Sequence, residues 1–383
     1  MMQRFAMAAV FAILPSVSYG QSQGRAPSDP RTFTVVMRDL TVHQGAIAVL
    51  DGRVVTLKGR SGTTDLARAD VLAFFDEGGA FHNLAAIELT SGARHAGNIS
   101  AREPDDDHVR WITSFMDELS IPLGEVRSVI LLPGTPASEA ADEDAVTLTN
   151  GDVASGFVVG VSSKVTVSLD SGDSTVPIER VARIDLAQTG ERGSGEFIWL
   201  SDGSIVPGAD LRIDAERVRF TSLATNSNGN LMRGQCLGAA LSAGSFVPLI
   251  DLERIEKSAG GEVLVVPMEI DGSRLTPLGA GSILLPRPAR YEWRLPEGAS
   301  RFGARLTLED PEAVWGDCEV VITLGGGEQP IARVRLHPGA QNAEVRADIA
   351  PGSEVISITI EQGPSGPVMD RVRLSRAIVT IEP

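Results

Sequence analysis

From Thr32 onward the chain is written in short apolar runs punctuated by Gly, Asn and Asp. Examples are Phe33-Thr-Val-Val-Met37, Ala46-Ile-Ala-Val-Leu50 and Arg53-Val-Val-Thr-Leu57. Their lengths and β-branched content predict strands separated by turns. Residues 107–119, preceded by Asp105-Asp106-Asp107, are the one stretch that reads as a helix, because acidic side chains suit a helix N-terminus. After residues 258–261 a continuous alternation sets in. Tyr291, Trp293 and Leu295 face one way and Arg290, Glu292 and Arg294 the other. Phe302, Ala304, Leu306 and Leu308, then residues 318–324, 343–349, 356–360 and 372–381, repeat the pattern. Period two in six or more runs means strands buried on one face only, as in a sandwich or jelly roll.

Within the first part of the chain the strongest signal is an internal repeat. Leu89, Gly92 and Gly97 share their spacing with Leu148, Gly151, Gly156 and with Leu200, Gly203, Gly208. Each copy closes on a proline, Pro122, Pro177 or Pro248, with apolar residues four and seven positions later. Asn150-Gly151 and Asp202-Gly203 supply the positive-φ residues of a two-residue hairpin. The second glycine falls inside the following strand, where it permits a sharp bend. Such copies are near the lower size limit for independent folding and should pack on one another. The expected organisation is an all-β chain of tandem small bent-sheet, barrel-like repeats followed by a C-terminal β-sandwich. Residues 1–20 are a signal peptide, and 21–80 a flexible lead-in with a degenerate repeat from Gly52 to Leu72. Residues 81–258 hold three repeats (87–130, 146–184, 198–255, with inserts at 100–118 and 221–245), and 262–383 the jelly roll.

The signal peptide follows from a charged start ending at Arg4, an apolar run over 5–14 and small residues at Ser18 and Gly20, which place cleavage after Gly20. Export to the periplasm or beyond is the expectation, with no membrane span, since the apolar run is shorter than the ~20 residues a span needs. The chain has 383 residues and a formal charge of −16, which disfavours nucleic acid and anionic membranes as partners. Its two cysteines, Cys236 and Cys318, could pair in an oxidising compartment. The alternation at 318–324 instead places Cys318 on the apolar face as a buried thiol.

Two resemblances bear on function. The run Val146-Thr-Leu148-Thr-Asn150-Gly151 to Gly156 is similar to the first motif of Sm-like barrels, over about a dozen residues per copy. Their second motif is not visible, so what is implied is a bent-sheet architecture without RNA binding. The run Leu278-Gly-Ala-Gly281-Ser282, then Ala289-Arg290-Tyr291-Glu-Trp293-Arg-Leu295 through Phe302, resembles the opening of the NPCBM family of carbohydrate-binding modules. Asp310, Gly316-Asp317-Cys-Glu-Val320 and Asp370-x-Val372 fit the family's later strands. The resemblance spans about 263–382 and implies a galactose-binding-like jelly roll, with Leu374 where the family often carries an aromatic residue.

Sugar recognition needs flat aromatic faces and planar polar groups, yet aromatics are 5% of the chain, so few residues qualify. Trp315, in a predicted loop beside Asp310 and Asp317, is the best candidate contact, with Arg287 and Arg290 in support. Trp293, alternating with Tyr291 and Leu295, reads as core. No catalytic machinery is legible. His43, His82, His95, His108 and His337 lack paired metal-ligand spacing, the 105–108 run lacks calcium-loop ligands, and no helix follows Gly325-Gly-Gly327 to cradle a phosphate. No cofactor or metal is expected. The expectation is an exported, non-catalytic binding protein whose last domain contacts an envelope or extracellular glycan. The alternative is an envelope structural or assembly protein making protein contacts only.

Overall fold

The computed structural model describes residues 31–79, 84–100, 102, 107–115, 118–138, 143–188, 190, 193–223, 227–255, 268–286, 289–309, 316–325, 329–363 and 371–382. The signal-peptide expectation lies outside them. The described chain is all-β, with thirty strands and a few single-turn 3-10 helices. No helix among the described residues is long and apolar enough to cross a membrane.

Ahead of the sandwich stand four copies of one unit, at 33–76, 86–130, 144–185 and 196–240. Each has four antiparallel strands, a three-residue 3-10 turn and a fifth strand that returns beside the first. In the third copy these are Asp144–Leu148, Val153–Val161, Lys164–Leu169, Gly172–Pro177, the turn Ile178–Arg180, and Val181–Asp185. The first hairpin is closed alike in all four. The amide of Leu89, Leu148 or Leu200 donates to the carbonyl four residues on, while the glycine amide donates back to the leucine carbonyl. That is a turn one residue longer than the expected two-residue hairpin, with the glycine left-handed at φ 87°, 90° and 88°. The second glycine meets the following strand at close range. A Cβ on Gly97 would lie 1.9 Å from the Ile112 carbonyl oxygen, and one on Gly156 2.8 Å from that of Ser168.

Three sequence expectations need correction. The first copy is not a fragment starting at Gly52 but a complete unit starting at Phe33. Met37, Leu40 and Gly45 stand where the others carry Leu, Gly and Gly, and Leu40 adopts the left-handed turn position at φ 64°. The fourth copy closes through Arg233–Gln235 and Cys236–Ala240, so Pro248 belongs to a separate 3-10 turn, Leu249–Asp251, beyond the unit. The segments read as inserts therefore hold regular strands of the second and fourth units. The helix expected at 107–119 is instead strand His108–Thr113, because Val109 and Trp111 are buried while Arg110 and Ile112 point outward. That spacing is two, not 3.6.

The four units pair in a nested order. The fifth strands of the first and fourth meet antiparallel (Phe74 opposite Ala239), and their second strands touch at Leu50 and Ile213. Those of the second and third meet likewise (Val129 opposite Ile184). Each pair encloses its own core. One is built on Ile47, Phe74, Ile198 and Leu211, the other on Ile87, Trp111, Val146 and Ile184.

The C-terminal sandwich has a five-stranded sheet, in spatial order Glu269–Thr276, Gly279–Leu285, Val372–Ile381, Ala299–Leu308 and Asn342–Asp348. The facing sheet runs Ala289–Arg294, Val355–Gln362, Cys318–Leu324 and Pro330–Leu336. Trp293, Phe302, Leu306, Ile358 and Leu374 fill the space between them. Cys318 lies in this core and Cys236 in the first barrel core, both as free thiols.

Sandwich and repeats belong to one compact unit, 32–383. Phe246–Pro248 leaves the fourth repeat and pairs with the last strand of the five-stranded sheet (Val247 opposite Val379). The outer face of the first barrel's sheet carries Val36, Phe75, Phe197 and Trp199, which pack with Phe246, Leu278 and Ile378. Leu40 reaches Gly303, where a Cβ would stand 2.9 Å from its Cδ1.

Candidate functional site

Where the apolar seam between barrel and sandwich ends, the two surfaces part around a cavity of about 340 Å³. Its floor is the outward face of the five-stranded sheet. Leu306 and Leu374 point into the sandwich core, so their strand neighbours point out, and register sets Arg305 opposite Ser375 and Thr307 opposite Arg373. The opposite wall is the end of the first repeat's last strand, with Phe75, Asp76 and Glu77.

The guanidinium groups differ in what they are bound to. Arg373 is held, its Nη1 donating to Ser282 Oγ at 2.7 Å and its Nη2 to Glu309 at 3.2 Å. Arg376 sits at φ 54°, a backbone state that costs a non-glycine residue about 1–2 kcal/mol, beside an irregularity in the pairing of its strand. Its Nη2 donates to Glu344, while Nη1 lies 3.9 Å from Glu77, beyond hydrogen-bond range, buried and without an acceptor among the described residues. Arg305 is half-buried and has no ion-pair or side-chain hydrogen-bond partner among the described residues. Glu77 accepts from Thr34 Oγ1 at 2.9 Å, and Asp76 from the Gly78 amide, also at 2.9 Å.

A second hollow, about 410 Å³, lies beside 132–138 and Val153, but no charged side chain lines it. Among the described residues no three His, Cys, Asp or Glu side chains converge as a metal site.

The residues singled out from sequence lie elsewhere. Trp315, Arg287 and Asp310 fall outside the described residues. Asp317 is buried and takes two hydrogen bonds from Arg335, Nε to Oδ1 at 2.9 Å and Nη2 to Oδ2 at 2.8 Å. Arg290 is half-exposed and bonded to Glu292 (2.8 Å) and Ser357 (3.3 Å) on the four-stranded sheet. Neither lines the cavity. Arg305, Thr307, Arg373 and Ser375 were legible as outward positions of alternating strands. Nothing in that alternation tells a covered outward face from a solvated one.

The cavity is thus lined by guanidinium groups and hydroxyls on the sheet face, with Phe75 and Leu237 adding apolar surface. These groups can donate to and accept from a polar ligand, and among the described residues no histidine or cysteine lines the cavity. No protein-family profile matches the chain, and no curated protein matches it. Solved structures similar to it include tandem family-51 carbohydrate-binding modules of a family-98 glycoside hydrolase from Streptococcus pneumoniae, at 10% identity and TM-score 0.29, covering 91% of this chain and 88% of that one. Another is a family-51 module from Clostridium perfringens in complex with methyl-galactose, at 13% identity and TM-score 0.28, covering 36% of this chain and 100% of the module. A third, from the same organism, joins such a module, in complex with GlcNAc, to INT domains at 11% identity and TM-score 0.29. It covers 45% of this chain, which spans 38% of that structure. At these TM-scores the likenesses carry no argument about what the chain binds.

Proposed function

We propose that this chain is an exported, non-catalytic binding protein that holds a saccharide in the cavity between its first barrel and its jelly roll. The carrying observation is Arg305, which lines the cavity with no ion-pair or side-chain hydrogen-bond partner among the described residues and stands across the strand from Ser375. The volume falls at the lower end of the ~300–1,000 Å³ usual for ligand cavities, the size of a small sugar. The NPCBM resemblance of residues 263–382 supports the same ligand class, and the N-terminal signal-like segment supports export.

The test is calorimetric titration of the chain with neutral and acidic mono- and disaccharides. Binding of at least one sugar, weakened at least tenfold by Arg305→Gln, is the expected result. No heat from any of them at ~10 mM overturns the reading.

One observation favours the assembly-protein reading. Val153, Phe157 and Val159 line up outward on one strand, Phe157 at 64% exposure, as a protein-contact surface would. Retention of a defined envelope protein that no sugar competes away would support it.

A further inference from the structure

We infer that the second barrel, made of the second and third repeats, is a self-association surface. Two copies of the chain pair about a two-fold axis, Phe157 of each entering the hollow beside Val153 of the other. The surface shares no residue with the sugar cavity. The hollow, about 410 Å³, is built by the chain crossing from the second repeat to the third. The Leu131 and Leu132 amides both donate to the Ala182 carbonyl, Arg183 Nη1 reaches the Thr135 carbonyl at 3.4 Å, and the Ser138 amide donates to Asp185 at 2.9 Å. The crossing is thereby pinned to the third repeat. Leu132, Pro136, Leu148, Val153 and Ala182 line the recess, and no charged side chain does. Thr147 lines it too. Standing before Leu148, it holds the place that Trp199 holds before Leu200 on the first barrel, where Phe246 and Leu278 are seated. The matching face of the sister barrel is therefore already an interface.

Phe157 is the insert. Among the described residues it is the only aromatic side chain left largely in solvent, with Val153 and Val159 exposed beside it on the same side of strand Val153–Val161. Val153 also lines the hollow, so projection and recess stand four strand residues apart, at most about 13 Å. A surface carrying both halves of a contact is complementary to a rotated copy of itself, and a two-fold rotation closes the pair. Charge points the same way. At −16 two copies repel one another, and a contact between them must bury no unmatched charge. A phenyl ring in a hollow without charged walls meets that condition. A cationic partner would find no acid in the hollow to receive it.

The experiment is analytical ultracentrifugation of the full chain across a range of concentrations up to ~500 μM. A contact this small should give a weak dimer, with a dissociation constant on the order of 10–100 μM. Salt screens like-charge repulsion, so the dimer should tighten between ~50 and ~500 mM NaCl. Phe157→Asp, and Leu132→Asp in the wall of the hollow, should each leave monomer at every concentration. Both positions are solvent-exposed, and thermal melts establish that the variants fold. Mixed together, the two variants should regain weak association, because one Phe157 and one intact hollow remain between them. A monomer throughout overturns the inference, as does a dimer untouched by Phe157→Asp, growth past the dimer, or no recovery on mixing. Retention of an envelope protein through Phe157 by a monomeric chain overturns it as well, and assigns the face to that partner. Sugar binding is read separately, and none of these outcomes alters it.

Discussion

Leu40 occupies a turn position that glycine fills in the three sister repeats, and the consequences can be worked out from the structure. A left-handed backbone at φ 64° costs an L-residue about 1–2 kcal/mol. The side chain is only 4% exposed and presses on Gly303 of the sandwich, and burying a leucine is worth about 1.5–3 kcal/mol. Burial therefore outweighs strain, but narrowly. Leu40→Ala should lose about 2–5 kcal/mol, since it removes the contact and keeps the strained backbone. Leu40→Gly removes the same contact and also the strain, so it should be about 1 kcal/mol more stable than Leu40→Ala. That ranking inverts the usual one, in which glycine is worse than alanine by roughly 0.5–1 kcal/mol inside regular structure. Urea denaturation of wild type and both variants reads the ranking directly. A glycine variant equal to or below the alanine variant would refute the claim that Leu40 is held in a strained turn by the sandwich.

Burial drives the His95 imidazole down to about 4. Neither ring nitrogen has a hydrogen-bond partner among the described residues. The fold therefore prefers the neutral ring. Its contribution is fully present above the unfolded value of 6.5 and is lost as pH falls from 6.5 towards 4, by about 3 kcal/mol across that window. The stability gap between wild type and His95→Leu should narrow by that amount between pH 7 and pH 4 in urea titrations; an unchanged gap would count against it. Trp199 is 2% exposed in the seam between barrel and sandwich, so Trp199→Ala should cost about 3–5 kcal/mol. Thr147 holds the matching place on the other barrel, and Thr147→Ala should change stability by less than about 1 kcal/mol. Comparable losses at the two sites in the same denaturation assay would remove the seam as a special surface.

The alternation of apolar and polar positions was enough to read the strands of the sandwich, because one buried face imposes period two whatever the partner. The glycine pairs were likewise readable in three repeats, since a left-handed turn and a close strand crossing each exclude a Cβ. The first repeat escaped because Leu40 meets the turn requirement by a contact with Gly303, far along the chain, which no local pattern records. Pro248 misled for the opposite reason. It begins the same proline and 3-10 turn as Pro122 and Pro177, but no strand follows that turn, and the true fourth closure starts from Met232. The acidic run before His108 suits a helix N-terminus, but Val109 and Trp111 have strand spacing, and burial follows that spacing. The cavity was hidden more deeply, because its arginines are ordinary outward residues until another sheet covers them.

What covers them follows from a difference between the two barrels. Both present a sheet made from two first strands and two fifth strands. On the first barrel the outward positions are Val36, Phe75, Phe197 and Trp199. On the other the matching places hold Glu88, Ile130, Ala145 and Thr147, and Ser128 Oγ bonds Glu88 at 2.8 Å. Only the apolar version gains by excluding water, so the sandwich settles on the outer pair of repeats and leaves the inner pair free. The apolar contact ends at Phe75. Beyond it Asp76 and Glu77 face the arginines of the sandwich sheet, and the surfaces cannot close on one another without burying charge, which is expensive unless each group is matched. A gap is left at the border, walled by strands and lined by the arginines of one surface and the acids of the other. The repeats thus do more than hold the jelly roll in place. They supply one wall of its cavity, and the sandwich alone would present Arg305 to solvent.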